Sequence, residues 1–176
     1  MSDTTQKVTK HADEQPECDC TAGKLCPVKD VIYSTFKHRY RDQMIDLMRT
    51  VIDHACDPNH DCTGDPKRVT NLKNEMDDAR DLSSSWADLT RVSIGIKGPI
   101  CVTVRKILAG MSECNGEFGV TEVLGMCTYV SELCVWLVTK NYDTEICEII
   151  ETLVDFILHK NMMACRDFLF WLDQCL

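Results

Sequence analysis

The sequence lacks the features that mark several common classes of protein. Its net charge is −9 and its basic residues form no cluster, so we do not expect a nucleic-acid backbone as a partner. Residues 1–10 are polar and contain no apolar run, so we expect no signal peptide at this end. No stretch alternates apolar and polar residues between turn signals, which argues against β-strands. These absences favour an all-α protein.

Signatures of catalysis are also missing. The chain has no glycine-rich phosphate loop and no His-Glu-x-x-His motif, and nucleophilic catalysis needs a cysteine or serine beside a positioned base. The five histidines occupy predicted polar faces, loops or the N-terminal segment, at His11, His38, His54, His60 and His159. Glu122 and Glu132 would lie about 15 Å apart along a helix, too far for paired catalytic carboxylates. We therefore expect neither an enzyme nor a bound cofactor.

The chain contains twelve cysteines, which are scattered through helical patterns rather than framing a short loop-rich scaffold. We expect most of them to be reduced core thiols in the cytosol, with disulfides left open as an alternative near the N-terminus. His54, Cys56, His60 and Cys62 form a cluster of both residue types that zinc prefers. Because His-x-Cys is too tight for a standard finger, a loop with incidental thiols is the favoured interpretation and a zinc site the weaker one.

Apolar residues recur every three or four positions through most of the chain, as in amphipathic helices. The first such pattern starts at Val28 and runs out near Ala55. Later helix boundaries are indicated by Asp65-Pro66, Ser83–Ser85, Gly98-Pro99, Cys114–Gly116 and Asn161. The sequence therefore predicts seven or eight helices over residues 28–176, preceded by a flexible arm over residues 1–27.

The segment Gly116–Lys140, GEFGVTEVLGMCTYVSELCVWLVTK, is the most apolar in the chain. A membrane-spanning helix needs about 20 apolar residues, and a central carboxylate costs roughly 2.5 kcal/mol or more. Val120–Val138 offers 19 positions, two of which are Glu122 and Glu132. We predict instead a hub helix, apolar over most of its circumference and surrounded by other helices. Gly125 would let a neighbour approach closely, and the glutamates mark where water or a partner reaches the helix.

Short motifs around the hub helix occur in a characteristic order. Glu117-Phe118-Gly119-Val120 stands where the Bcl-2 family has Asn-Trp-Gly-Arg, at the start of the central helix. Leu72–Asp77 resembles the internal BH3 segment of that family, with Met in place of the small residue. Thr144–Lys160 resembles its paired helices, and Arg166–Leu172 resembles its tryptophan-bearing BH2 region. Over residues 28–175 the chain resembles the Bcl-2 family, and is similar to its divergent viral members that lack a tail anchor.

This resemblance implies a Bcl-2-like bundle around a central hydrophobic hairpin. It also implies an anti-apoptotic protein that sequesters BH3-motif helices of pro-apoptotic Bcl-2 proteins in a hydrophobic surface groove. By position, the groove residues are Met76, Leu89, Val92, Val104, Ile107, Leu108, Met111, Val120, Val123 and Leu124. Val120 replaces the family's ligand-binding arginine, and the nearest alternative cations are Arg105 and Lys106. We expect cytoplasmic localisation, with mitochondrial association through partners.

Two other interpretations keep the same fold. A Bcl-2-like scaffold would block host inflammatory signalling by protein contacts without binding BH3 helices. A homodimer through an exposed helical face is a further alternative. The chain ends at Cys175-Leu176 without an apolar tail, so no membrane anchor is expected in it.

Overall fold

The computed structural model describes residues 27–59, 64–94, 99–113 and 117–175. These ranges contain five α-helices, one short 3-10 helix and no strand, which confirms the all-α prediction. The helices are α1 (Pro27–Cys56), α2 (Pro66–Ile94), α3 (Ile100–Glu113), α4 (Val120–Thr139), the 3-10 helix (Asp143–Glu145) and α5 (Ile146–Gln174). The predicted arm lies outside the described residues, apart from its last residue.

The chain divides into two compact units, Met1–Ser34 and Thr35–Leu176. In the first unit the described residues are helical, and the side chains of Ile32 and Tyr33 are exposed. The second unit holds the remaining helices and the hydrophobic core. The domain boundary expected after residue 27 stays a prediction.

Within the second unit, α1 carries the apolar pattern seen in the sequence. Met44 and Val51 are buried in the core, as the three-to-four-residue spacing predicts. On the polar side Arg41 reaches α5, where its Nε lies 2.7 Å from Asp155 Oδ1 and its Nη2 lies 3.4 Å from Glu151 Oε2. The helix is therefore held by apolar burial on one side and by ion pairing to α5 on another.

The start of α2 follows its local sequence. Asp65 Oδ1 accepts a hydrogen bond of 3.0 Å from the Lys67 main-chain N–H, and Pro66 is the first helical residue. The break predicted at Ser83–Ser85 is wrong, because α2 runs through it as one helix of 29 residues. Beyond the serines Ala87 is fully buried in the core, and tertiary packing of this kind overrides a local capping signal.

The hub helix is α4, and it begins where the sequence predicts. Its first residue is Val120, and Glu122 Oε2 accepts a hydrogen bond of 2.9 Å from the main-chain N–H of Gly119. This contact is one half of a capping box, and glycine has no side chain to supply the other half. Glu122 therefore serves the start of the helix.

At its other end α4 closes with a Schellman motif. The Tyr142 N–H donates to the Leu137 carbonyl at 3.0 Å, and the Asn141 N–H donates to the Val138 carbonyl at 3.0 Å. Asn141 has φ of 60°, a left-handed conformation that this motif requires. The predicted connection at Asn141–Asp143 therefore contains one residue, Asn141, in a backbone conformation that is unfavourable for residues other than glycine.

Other helices cover α4 on several sides. It packs chiefly against α2 and α5 and less extensively against α3. By length and composition alone it is apolar enough to cross a membrane, and 56% of that stretch is buried inside the protein. Its buried residues include Tyr129, Leu133 and Leu137, all with no exposed surface. This burial agrees with the prediction that other helices surround the hub helix.

The predicted break at Asn161 is confirmed as a kink in α5. Asn161 has φ of −161° and ψ of 100°, and the chain is helical on both sides of it. This kinked element and the continuous α2 each replace two predicted helices. They account for five α-helices and one 3-10 helix in the described residues where seven or eight helices were expected.

The start of α2 clamps the end of α5. Arg68 donates to both carboxylate oxygens of Asp173, from Nε at 2.6 Å and from Nη2 at 2.7 Å. Lys67 Nζ donates to the Asp173 carbonyl at 2.7 Å, and Asn71 Nδ2 donates to the Leu172 carbonyl at 2.8 Å. The last carbonyls of a helix have no partner within it, and these side chains satisfy two of them.

Candidate functional site

A partly open cavity of about 600 Å³ lies between α1, α2 and α4. Its volume falls within the range of ligand-binding pockets. The apolar residues that line it are Val51 and Ala55 of α1, Met76 of α2, and Val135 and Trp136 of α4. The hub helix thus supplies one apolar wall of the α1/α2/α4 cavity.

Charged residues of both signs line the same cavity in equal number. The basic residues are Lys73, Arg80 and Arg91, and the acidic residues are Asp77, Asp88 and Glu132. All except Glu132 belong to α2, and their separations of four, three, eight and three residues place them along one side of that helix. The charges of the lining therefore balance.

Several of these charged groups pair with one another. Within α2, Arg80 Nη2 lies 3.0 Å from Asp77 Oδ1, and Arg91 Nη1 lies 2.8 Å from Asp88 Oδ1. Across the cavity wall, Arg80 Nε lies 3.4 Å from Glu132 Oε1 of α4. An ion pair therefore joins the two helices at the cavity.

Among the ion-paired residues that line this cavity, Glu132 is the most enclosed. Its side chain is 16% exposed, and burial raises the pKa of its carboxyl group, while Arg80 and Arg91 act to lower it. The sequence indicated Glu122 and Glu132 as places where water or a partner reaches the hub helix. Of these two residues, Glu132 lines the cavity, and Glu122 instead accepts the hydrogen bond at the start of α4.

Arg91 has an unusual donor. Its Nε is buried and has no hydrogen-bond partner within the described part of the chain. Its Nη1 is held by Asp88. Buried polar groups are normally paired, so this donor is an exception among the described residues.

A buried hydrogen bond fixes the position of α2 relative to α4 beside the cavity. Tyr129 and Thr90 have no exposed surface, and their hydroxyl oxygens are 2.9 Å apart. Thr90 Oγ1 donates to the Trp86 carbonyl, so the Tyr129 hydroxyl is the donor to Thr90. Burial raises the pKa of Tyr129 to about 12, and the phenol stays protonated at neutral pH.

In the structure, the ten predicted groove residues lie in different environments. Three are fully buried core residues in this fold, namely Val104, Leu108 and Val123. Four are partly buried and pack against the core, namely Ile107, Met111, Val120 and Leu124. Met76 is nearly buried and lines the α1/α2/α4 cavity, Leu89 is 49% exposed, and the side chain of Val92 lies outside the described residues. Their assignment to one groove stays a prediction.

Helix α3 contacts both α2 and α4. A β-carbon placed on Gly110 of α3 would lie 3.7 Å from Cη2 of Trp86, so the indole ring of α2 rests against this glycine. A β-carbon on Gly125 of α4 would lie 3.9 Å from Cε of Met111. This distance is ordinary van der Waals contact, so the packing does not require a glycine here and the close approach expected at Gly125 stays a prediction.

The predicted cations Arg105 and Lys106 lie elsewhere, at a second cavity of about 460 Å³ between α3 and α5. Cys101, Val102 and Glu148 also line this α3/α5 cavity. The two basic side chains are exposed. Their position at the α3/α5 cavity does not test the prediction that they contact a ligand.

The structure describes two of the four residues of the weaker zinc-site interpretation. His54 is half-buried and Cys56 is exposed, while His60 and Cys62 lie outside the described residues. Within the ranges that the structure describes, no group of three or more potential ligands is arranged to hold a metal ion.

Sequence reasoning missed the charged side of α2. The signal was present, because Asp77, Arg80, Asp88 and Arg91 follow helical spacing. The break assigned at Ser83–Ser85 divided that series between two short helices. Reading the segment as one helix would have placed these four residues together.

Comparisons of this chain with protein-family models, curated proteins and solved structures find no match. The resemblance to the Bcl-2 family therefore rests on the sequence motifs alone.

Proposed function

We propose that this protein binds an amphipathic helix of a partner protein and that the α1/α2/α4 cavity receives the helix's apolar side chains. The observation that carries the proposal is the combination of apolar walls with a balanced set of charges. An amphipathic helix presents an apolar stripe flanked by charges of both signs, which complements such a surface. A ligand of a single charge would not.

We further propose that the partner helices are BH3 motifs of pro-apoptotic Bcl-2 proteins and that binding restrains cell death. Support comes from the order of the sequence motifs described above. Glu117–Val120 leads into the first turn of α4, Leu72–Asp77 lies in α2, and Arg166–Leu172 lies in α5 beyond the kink. The support is the order of these segments along the chain, which is the order of the motifs in the family that the sequence resembles.

Isothermal titration calorimetry with a panel of BH3-motif peptides tests the binding proposal. Val135→Glu places a charge on the apolar wall of the cavity, so we expect affinity to fall about 10-fold or more. Val102→Glu is the matched control, since Val102 is 50% exposed at the α3/α5 cavity. Loss of binding in the Val102 variant alone would assign the site to the other cavity.

The scaffold interpretation remains the second candidate, and one observation favours it. Val104, Leu108 and Val123 are fully buried, which leaves no open groove at those predicted positions. A scaffold would bind none of the BH3 peptides. Expression in cells given an apoptotic stimulus separates the biological roles, because an anti-apoptotic protein delays death and unchanged or faster death contradicts that role.

A further inference from the structure

The second half of α5, beyond the kink at Asn161, has one face that is open to solvent. Its separations of three, one, three and four residues place the exposed side chains along one side of the helix. These residues, which we call the outer face of α5, are Met163, Arg166, Asp167, Phe170 and Gln174. The opposite side is buried in the core, where Phe168 and Leu172 have no exposed surface.

Two large apolar side chains lie on the outer face of α5. Phe170 is 64% exposed and Met163 is 42% exposed. Single exposed apolar residues are common on soluble proteins, but these two are seven residues apart and lie nearly in line along the helix. Apolar residues at this spacing let two helices pack side by side. The outer face of α5 therefore suits contact with another helix.

One positive and one negative charge lie between these apolar side chains. Arg166 Nη2 lies 2.6 Å from Asp167 Oδ1, and the two side chains are 47% and 51% exposed. An ion pair so open to solvent contributes little to stability, so either group can change partner at little cost. Adjacent residues of a helix point about 100° apart, so the two charges flank the line from Met163 to Phe170 on opposite sides.

A second copy of the same face complements this arrangement. With a two-fold axis parallel to the two helices, Met163 meets Met163, Phe170 meets Phe170, and Arg166 of each copy lies beside Asp167 of the other. A partner surface of a single charge sign would leave one of the two groups beside a like charge. The helix from Met162 to Gln174 is about 20 Å long, so the contact belongs to the small interfaces, below about 1,200 Å². Association through it should therefore be reversible and concentration-dependent.

We propose that two copies of this chain associate through the outer face of α5. Phe170 and Met163 form the centre of the contact, and Arg166 of each copy pairs with Asp167 of the other. This inference goes beyond the proposed function, because the described lining of the α1/α2/α4 cavity includes no residue of α5. The dimer contact and the proposed helix-binding site are different surfaces.

Sedimentation equilibrium of the full chain over a wide range of concentrations tests the association. We expect a reversible equilibrium between monomer and dimer. Phe170→Glu places a charge at the centre of the contact and should raise the dissociation constant of the dimer about 10-fold or more. Val102→Glu is the matched control, since Val102 is 50% exposed on α3, and it should leave the dissociation constant unchanged.

Exchanging the two charges tests the pairing between copies. Arg166→Glu and Asp167→Arg should each weaken self-association about 10-fold, because each places like charges beside one another. Mixed together, these two variants should associate with each other more tightly than either does with itself, since every group then faces an opposite charge. The variant that carries both substitutions keeps the net charge of the wild type and should recover its dissociation constant.

The outcomes decide the proposal independently of helix binding, which peptide calorimetry reports separately. A wild-type chain that stays monomeric at the highest concentration reached would overturn it. Dimerisation that Phe170→Glu leaves unchanged, or that Val102→Glu weakens equally, would also overturn it. Circular dichroism checks folding, and if Phe170→Glu does not fold, the exposed charge variants decide. A mixture of Arg166→Glu and Asp167→Arg that associates no more tightly than the separate variants would contradict the contact.

Discussion

Asn161 Nδ2 donates a hydrogen bond of 3.2 Å to the main-chain carbonyl oxygen of Phe118. The same side chain accepts from the N–H groups of Met163 and Ala164 through Oδ1, at 3.0 and 3.3 Å. One asparagine therefore caps the second half of α5 and holds the residues that lead into α4. The kink is a junction between two helices that form the core.

Replacing this asparagine tests the junction. We expect Asn161→Ala to lower the free energy of unfolding by about 1–2 kcal/mol, because it removes both a helix cap and a hydrogen bond to the main chain. Urea denaturation monitored by circular dichroism gives the value. Asn74→Ala, at an exposed position of α2, serves as the control and should leave stability nearly unchanged. An equal effect of the two substitutions would contradict the proposed junction.

The left-handed residue after α4 predicts opposite effects for two small substitutions. Asn141 has φ of 60°, which glycine adopts without steric cost and alanine does not. Asn141→Gly should therefore be neutral or slightly stabilising, whereas Asn141→Ala should cost about 1 kcal/mol. Thermal unfolding of both variants measures the difference. A more stable alanine variant would show that the turn does not hold this conformation in solution.

The buried pair of hydroxyls should respond unequally to its two deletions. Tyr129→Phe removes the donor and should cost about 1 kcal/mol, since Thr90 keeps its bond to the Trp86 carbonyl. Thr90→Val leaves the Tyr129 hydroxyl buried without an acceptor and should cost about 1–3 kcal/mol. Chemical denaturation of both variants and of the double variant tests this order. Equal losses would indicate that water reaches the pair.

The clamp between α2 and α5 predicts a pH dependence. The Arg68 guanidinium lowers the pKa of Asp173 below its ordinary value, so the pair stabilises the fold at neutral pH, and this contribution disappears as pH falls through that lowered pKa. Arg68→Met should be less stable than the wild type at pH 7, and the gap should narrow below about pH 4. Denaturation midpoints across this range measure the gap. A gap independent of pH would assign the loss to packing alone.

For Glu132, at the cavity, we predict a pH dependence of stability with the opposite sign. Burial raises the pKa of its carboxyl group, so the folded state disfavours the charged form and this group lowers stability as pH rises through its pKa. Glu132→Gln should therefore gain stability relative to the wild type between acidic and neutral pH. Comparing the two proteins by urea denaturation at several pH values provides the test. If the substitution loses stability at neutral pH, the ion pair with Arg80 outweighs the cost of burial.

Local signals in the sequence were sufficient for several elements. Asp65 and Pro66 mark the start of α2 because capping and proline geometry depend only on adjacent residues. The kink at Asn161 and the turn at Asn141 involve a residue type suited to both roles. The hub helix was identified because an apolar surface on most sides can be satisfied only by surrounding helices.

Other features depended on contacts between distant segments. Ser83–Ser85 resembles a helix start, yet α2 continues through it and packs against α4, which aligns Asp77 and Arg80 with Asp88 and Arg91. The packing of Trp86 against Gly110 could not be predicted from the sequence either, because it depends on how α2 and α3 approach each other. The predicted groove was placed without this information.

The sequence by itself determined the all-helical class, the hub helix and most of the points where helices begin, end or bend, because each of these depends on residue spacing and local hydrogen bonding. Only the tertiary structure decided which apolar residues became core, where the α1/α2/α4 cavity lies and that the Nε of Arg91 is buried without a partner. Burial and pairing are properties of segments brought together from far apart in the chain, and helical periodicity does not specify which segments meet.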